Sequence, residues 1–199
     1  MIETYSQAGQ DLWVLKTLDN KKNGFFLDVG AYDGLKYSNS YLLEKNFNWG
    51  GLMIEAHPCN YNSLKNNRNS TIVPYAISDV NEKIVFEDNC GTGSKITEKN
   101  GIIVESITFE KLFQLYDVPE IIDYMSLDIE GYEFKALTKF PFNKYKCKTI
   151  TVEHNLYLGD SENKKKINEI LINNGYTLIV ENVEHNGLMF EDWYVNNNL

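Results

Sequence analysis

Arginine is almost missing from this chain of 199 residues: Arg68 is the only one. Bidentate guanidinium clamps on phosphates or guanine edges are therefore nearly unavailable. The net charge of −9 disfavours a protein that tracks a nucleic-acid backbone. Lys164-Lys165-Lys166 is a basic run, but on a helix it reads as a solvated face. Cysteine is scarce as well. Cys59, Cys90 and Cys147 are widely spaced, odd in number and form no Cys-x-x-Cys pair, so neither a disulfide framework nor a zinc knuckle is expected, and a reducing compartment fits. No apolar run is long enough to span a bilayer. Met1 to Tyr5 carry no apolar run and no basic lead, so no signal peptide is expected and a cytoplasmic location is. The remaining composition, 43% hydrophobic and 24% charged, is ordinary for a globular protein, and the length suits one domain.

Apolar residues alternate between helical and strand spacing along most of the chain. Leu12, Trp13, Leu15 and Leu18 predict a helix over 7–18. Buried strands are expected over 25–30, 52–55 and 71–73. Helices are expected over 38–46, capped by Ser38 or Asn39, and over 58–67, where Pro58 suits a first helical position. Short strands over 83–87 and 102–107 bracket a Gly-, Thr-, Ser- and Asn-rich stretch, 89–101, that reads as a mobile loop within an insertion spanning 80–107. Further helices follow over 108–116, 132–138 and 161–173, the last capped by Ser161 and ended by Gly175. Strands are expected over 124–129, 149–153, 176–181 and 188–195. This alternation argues an α/β fold with a mainly parallel sheet and helices on both faces. The final two strands have no helix between them and should pair as an antiparallel hairpin at one edge.

Four constellations carry chemistry. In Phe25-Phe26-Leu27-Asp28-Val29-Gly30-Ala31-Tyr32-Asp33-Gly34 a buried strand ends in an acid and a glycine, and a second acid and glycine follow. Gly30 permits a sharp turn and close approach to a ligand. The loop departs from the dinucleotide pattern Gly-x-Gly-x-x-Gly, because Tyr32 occupies the middle position and its Cβ would crowd a pyrophosphate. With Asp28 and Asp33 beside it, a cationic ligand without phosphates fits better. Glu55 ends the next strand, where a ribose diol needs an acid. Asp128 ends a core strand, with Glu130 and Glu133 close behind; three acids this near are costly unless they meet a cation, a metal or a proton in flight. Glu133 fits the first turn of the next helix, where it complements the dipole. Glu153, His154 and Asn155 end another strand and suit either a divalent ion or proton transfer. His57 and His185 carry less weight.

These pieces together resemble a class I S-adenosylmethionine-dependent methyltransferase of the FkbM type. The resemblance runs through Ser6-Gln7-Ala8-Gly9-Gln10-Asp11, the loop 26–34, Ser38-Asn39-Ser40, Trp49 to Glu55, Asn67-Arg68, Ala76 to Asp79, Ser126 to Gly131 and Asp192-Trp193. It implies one methyltransferase domain over 1–199, with a helical segment over 1–22 and a Rossmann-like sheet of seven strands. It implies that Asp28, Gly30, Ala31, Asp33 and Gly34 hold the methionine end of S-adenosylmethionine and that Asn39 approaches the carboxylate end or braces the loop. Glu55 would take the ribose hydroxyls, Ser78 and Asp79 would lie near the adenine, and Asp128 would border the cofactor. Known members commonly methylate hydroxyls, often on sugars or natural products, so a small-molecule or glycan acceptor is expected.

For the chemical step, Asp128, Glu130, Glu153 and His154 are the candidates for taking the acceptor's proton. Asp128, Glu153 and His154 are also candidate ligands of Mg²⁺ or another divalent cation, approximating the acid and acid–amide set of metal-dependent O-methyltransferases. Two other readings stay open: a non-catalytic nucleotide- or cofactor-binding module, and a nicotinamide-dependent oxidoreductase acting on sugars.

Overall fold

The structure is a computed structural model and describes residues 3–199; Met1 and Ile2, part of the segment read for a signal peptide, lie outside the described residues. The elements in chain order are α1 (Gln10–Thr17), β1 (Phe25–Val29), α2 (Tyr41–Phe47), β2 (Gly50–Ile54), α3 (Pro58–Asn67), β3 (Thr71–Val73), β4 (Ala76–Ile77), β5 (Lys83–Phe86), β6 (Ile102–Ile107), α4 (Phe109–Leu115), β7 (Ile121–Leu127), α5 (Glu133–Leu137), β8 (Lys146–Glu153), a 3₁₀ turn (Leu156–Leu158), α6 (Ser161–Asn173), β9 (Tyr176–His185) and β10 (Leu188–Asn196).

The main sheet has seven strands in the order β3-β2-β1-β7-β8-β10-β9. Pairings from β3 across to β8 are parallel, and β10 runs antiparallel to both of its neighbours. This is the α/β, mainly parallel architecture expected from the sequence, with the C-terminal hairpin at its edge. Asn186 and Gly187, both at positive φ, form the hairpin's tip; that backbone twist matches paired strands. Because the order reverses between β1 and β7, their carboxyl ends open a crevice where ligands of open α/β sheets bind.

Two apolar layers clasp the sheet. One gathers Leu27, Val29, Leu127, Ile150 and Val152 against Phe109, Phe113 and Phe140. The other packs Phe26, Met53 and Tyr124 against Val14, Leu42 and Leu43. Alternate residues of β1 thus face opposite layers, as a strand buried on both faces requires. β5 and β6, within the stretch 80–107, join β4, which precedes it, in a separate three-stranded sheet, β4-β6-β5, around a small core of Ala76, Phe86 and Val104.

Several boundaries differ from the sequence reading. α1 begins at Gln10, after Gly9 at φ 85°. α2 begins at Tyr41, whose amide donates to the Ser38 hydroxyl at 3.2 Å, while Ser40 at the N-cap makes no side-chain cap bond. The cap of α6 is Asp160, whose carboxylate accepts from the Asn163 amide, and not Ser161. β7 stops at Leu127, so Asp128 falls just past the strand. The expectation that no disulfide forms is overturned: Cys59 and Cys90, 31 residues apart, are bonded. The sequence interval gives no hint of this, because β3 to β5 must fold back before the two meet.

Candidate active site at the carboxyl ends of the strands

A cleft of about 340 Å³ opens over the ends of β1, β2, β7 and β8. Its floor carries Asp28, Gly30, Glu55, Ser126, Asp128 and Glu153. One wall is Lys36 to Asn39, another is Gly91 to Ser94, and Tyr157 of the 3₁₀ turn closes a third side. A smaller apolar slot of about 40 Å³ adjoins it, bordered by Ala56, Tyr75, Ile77, Ile96 and Ile129.

Asp28 is buried at the end of β1. It accepts a short hydrogen bond from the Ser40 hydroxyl, which in turn accepts from Arg68 at 3.0 Å. Burial pushes the Asp28 carboxyl up, while Ser40 and the Arg68 charge pull it back. Arg68 also donates to the Gly34 carbonyl and to Ser38, and pairs with Glu44 at 3.0 Å. The chain's single arginine is therefore spent on shaping the loop under the cleft, a role the sequence did not disclose.

Gly30 carries a structural demand of its own. Its φ is 87°, and a Cβ there would sit 1.8 Å from the Asp128 carbonyl oxygen. Glycine is thus required by the main chain just past β7, and the residue also lines the cleft. Asp33 and Gly34 sit outside the cleft lining: Asp33 caps the turn by accepting from the Leu35 and Lys36 amides, each at 2.8 Å. Asn39 lines the cleft, donates to Ser126 at 2.8 Å and leaves its Oδ1 without a partner among the described residues.

Glu55 is 6% exposed. Its oxygens accept from the Tyr32 amide at 2.9 Å and the His57 amide at 2.8 Å. Desolvation pushes it up to about 7 despite these bonds. Its carboxyl lines the cleft, where it can accept from a further donor. Ser78 is buried outside the cleft and points to Asp79, so neither lines it.

Beyond Gly30 the carboxyls of Asp128, Glu130 and Glu153 have oxygens within 4.8 Å of one another. Burial, then the neighbouring acids, drives Asp128 and Glu153 well above the carboxylate range. Like charges this close disfavour ionising all three carboxyls at once. Burial also raises Glu130, with Lys95 opposing. Glu133 faces back into its own loop, accepting from the Ile129 and Gly131 amides at 3.0 Å, and serves as a backbone clamp.

His154 is not brought to the cleft. It is 1% exposed, its Nδ1 accepts from the Leu156 amide at 3.2 Å, and its Nε2 faces Asp192 at 3.4 Å on the far side of β8. Consecutive residues of a strand project to opposite faces, so Glu153 and His154 cannot both line one crevice.

A mainly parallel sheet with one antiparallel strand, an acid-flanked loop after β1 and an acid after β2 defines a Rossmann-like methyltransferase fold. The family profile described as "Methyltransferase FkbM domain" matches residues 28–178, and the chain belongs to that family. It is an S-adenosylmethionine-dependent methyltransferase. Among solved structures it is similar to a putative O-methyltransferase from Klebsiella pneumoniae, at 13% identity and a TM-score of 0.60, over 95% of this chain and 80% of that one. It is also similar to precorrin-6y C5,15-methyltransferase from Geobacter metallireducens GS-15, at 12% identity and a TM-score of 0.54, over 94% and 86%. A third is a putative RNA methyltransferase from Pyrococcus horikoshii, at 12% identity and a TM-score of 0.51, over 98% and 88%. No curated protein matches the sequence.

Proposed function

We propose that the enzyme transfers the methyl group to a hydroxyl of a sugar, glycan or other small polyhydroxylated acceptor, with the Asp128–Glu153 carboxyl pair as proton acceptor. The observation that carries this is the pair itself, a half-buried Asp128 and a buried Glu153 at the ends of β7 and β8, open to the cleft beside the Asp28–Gly30 loop.

The residues fit S-adenosylmethionine. Asp28 and the unpartnered Asn39 Oδ1 offer acceptors to the donor groups of its methionine end. Glu55 has lone pairs for the ribose diol, and the slot between Ile77 and Ile129 has the apolar character an adenine needs. Bound there, the cofactor supplies an electrophilic methyl on a sulfonium. The chain's part is alignment, which can contribute on the order of 7–11 kcal/mol. It also removes a proton. A hydroxyl is a weak nucleophile until deprotonated, and a carboxyl with raised proton affinity is a better base than an ordinary one. The acidic floor repels phosphates and accepts hydrogen bonds from a neutral polyol. This supports a hydroxylated acceptor over a nucleic acid.

The triad Asp128, Glu130 and Glu153 supports a second reading, since three clustered carboxylates suit a hard divalent ion that would lower the hydroxyl's pKa. His154 has no place in that set.

Asp128→Asn should lower kcat by about 10²–10⁴-fold while S-adenosylhomocysteine still binds by calorimetry, and turnover should survive EDTA. Activity lost to EDTA and restored by Mg²⁺ would transfer the role to the metal reading. Full activity in Asp128→Asn would rule out the carboxyl pair.

A further inference from the structure

We propose that Cys59–Cys90 is a reversible thiol–disulfide site, exchanged with a dithiol reductant, that fixes one wall of the cleft and so sets cofactor affinity. The inference rests on the reading that this cleft takes the cofactor.

The bond's placement gives it leverage. Cys59 is the second residue of α3, just past Glu55. Cys90 directly precedes Gly91, Thr92, Gly93 and Ser94, which line the cleft. The strand ladder supporting this tip ends below it: Phe86 pairs with Ile102, and the Glu87 amide donates to the Lys95 carbonyl at 2.9 Å. Above that point the Ser94 hydroxyl bonds only locally, to the Asn89 carbonyl. What ties the tip to α3 is the disulfide, a bond from Asn60 to the Gly91 carbonyl at 3.0 Å, and His57 facing the exposed Asp88 at 3.5 Å. Asn60 is buried and also reaches Glu55. The wall and the ribose acid therefore share an anchor beside the bond.

The chemistry suits exchange. Both cysteines are exposed and neither belongs to a core cluster, so the sulfurs are open to attack and the sheet packing does not depend on them. The reductant's thiolate attacks the Cys90 sulfur, the S–S bond breaks, and Cys59 leaves as thiolate. Its sulfur sits at the N-terminus of a ten-residue helix, where free amides favour negative charge and make it the better leaving group. The reductant's second thiolate then resolves the mixed disulfide. Two electrons and two protons pass to the protein, and the dithiol becomes a disulfide. A ring nitrogen of His57 lies within 4.8 Å of both sulfurs, and its buried Nε2 has no hydrogen-bond partner among the described residues. Cys147 takes no part: it is buried, and burial pushes its thiol up.

Cutting the bond removes the covalent anchor and lowers the fraction of molecules whose wall is in place. Apparent affinity falls by that fraction. If one molecule in ten keeps the wall, the Kd rises about tenfold.

The test is calorimetry of S-adenosylhomocysteine with the full chain, oxidised and then reduced by a dithiol, with thiol tagging to count free cysteines. Reduced protein should bind about tenfold more weakly, and reoxidation should restore the affinity. A Cys59→Ser/Cys90→Ser double variant should bind like reduced protein in either buffer, and hydrogen exchange over 88–94 should quicken on reduction. Equal Kd in both redox states overturns the proposal and leaves the cleft reading intact. A bond that resists the dithiol in the native protein also overturns it. No binding in either state removes the cleft reading and this inference with it.

Discussion

Gly30 shows how a single residue joins the two halves of the site. Its amide donates to the Ile54 carbonyl at 3.0 Å, and its missing side chain leaves room for the carbonyl of Asp128. Gly30→Ala should therefore cost about 3 kcal/mol or more, from a strained φ and a main-chain clash together. Chemical denaturation would read the loss, and a variant as stable as the parent would contradict the geometry. The sequence marked Gly30 as special, but a glycine required by a ligand and one required by a neighbouring strand look alike until the pairing is known. His154 is a different failure. Strand parity was available at Thr151-Val152-Glu153-His154, and it would have assigned one of the last two residues to the cleft and the other to the opposite face. The sequence alone did not say which.

Among the elements, α3 does the most to assemble the site. Pro58 and His57 start it beside Glu55, and Arg68 at its C-terminal end reaches across to α2. Arg68→Lys keeps the charge but gives up the planar fork that serves Gly34, Ser38, Ser40 and Glu44 together. The expected cost is about 3–5 kcal/mol. Ser40 and Asp28 should loosen with it, so S-adenosylhomocysteine should bind more weakly in the same preparation. Unchanged stability and affinity would show that the network is dispensable. The helix itself was legible, since Pro58 marks its start, and α4 was legible from Thr108, which caps by accepting from the Lys111 amide at 3.2 Å. The start of α2 was legible only in part: Ser38 accepts locally from the Tyr41 amide, but Ser38 and Ser40 also accept from Arg68, 28 to 30 positions away.

At the scale of the whole molecule, the surplus of acid is partly buried. Glu55, Glu133 and Glu191 are each pushed up to about 7 by desolvation, from an ordinary value of 4.5. The folded protein holds these protons more tightly than the unfolded chain does. Their contribution to stability is complete below about 4.5 and is lost as pH rises through about 7. Desolvation pushes Asp123 and Glu44 up, but hydrogen bonds and their lysine and arginine partners outweigh it and shift both downward, so their loss falls at more acidic pH. The ligand-free Tm should therefore fall between pH 5 and pH 8, by several degrees. A Tm that climbs over this interval would show that these acids are ionised at little cost. The net charge was legible from the sequence, but which acids are hidden depends on which strands end beside one another.

The separate three-stranded sheet has a practical consequence. Its tip and the 3₁₀ turn wall the cleft, yet neither belongs to the ladder that sets the floor. Exchanging the 3₁₀ turn for that of a relative is thus the economical route to reshaping the cleft, because the ends of β1 and β2 and the tip tied by Cys59–Cys90 stay as they are. Grafts that include the end of β7 would need a matching β1 turn, since Gly30 and Asp128 fit only as a pair.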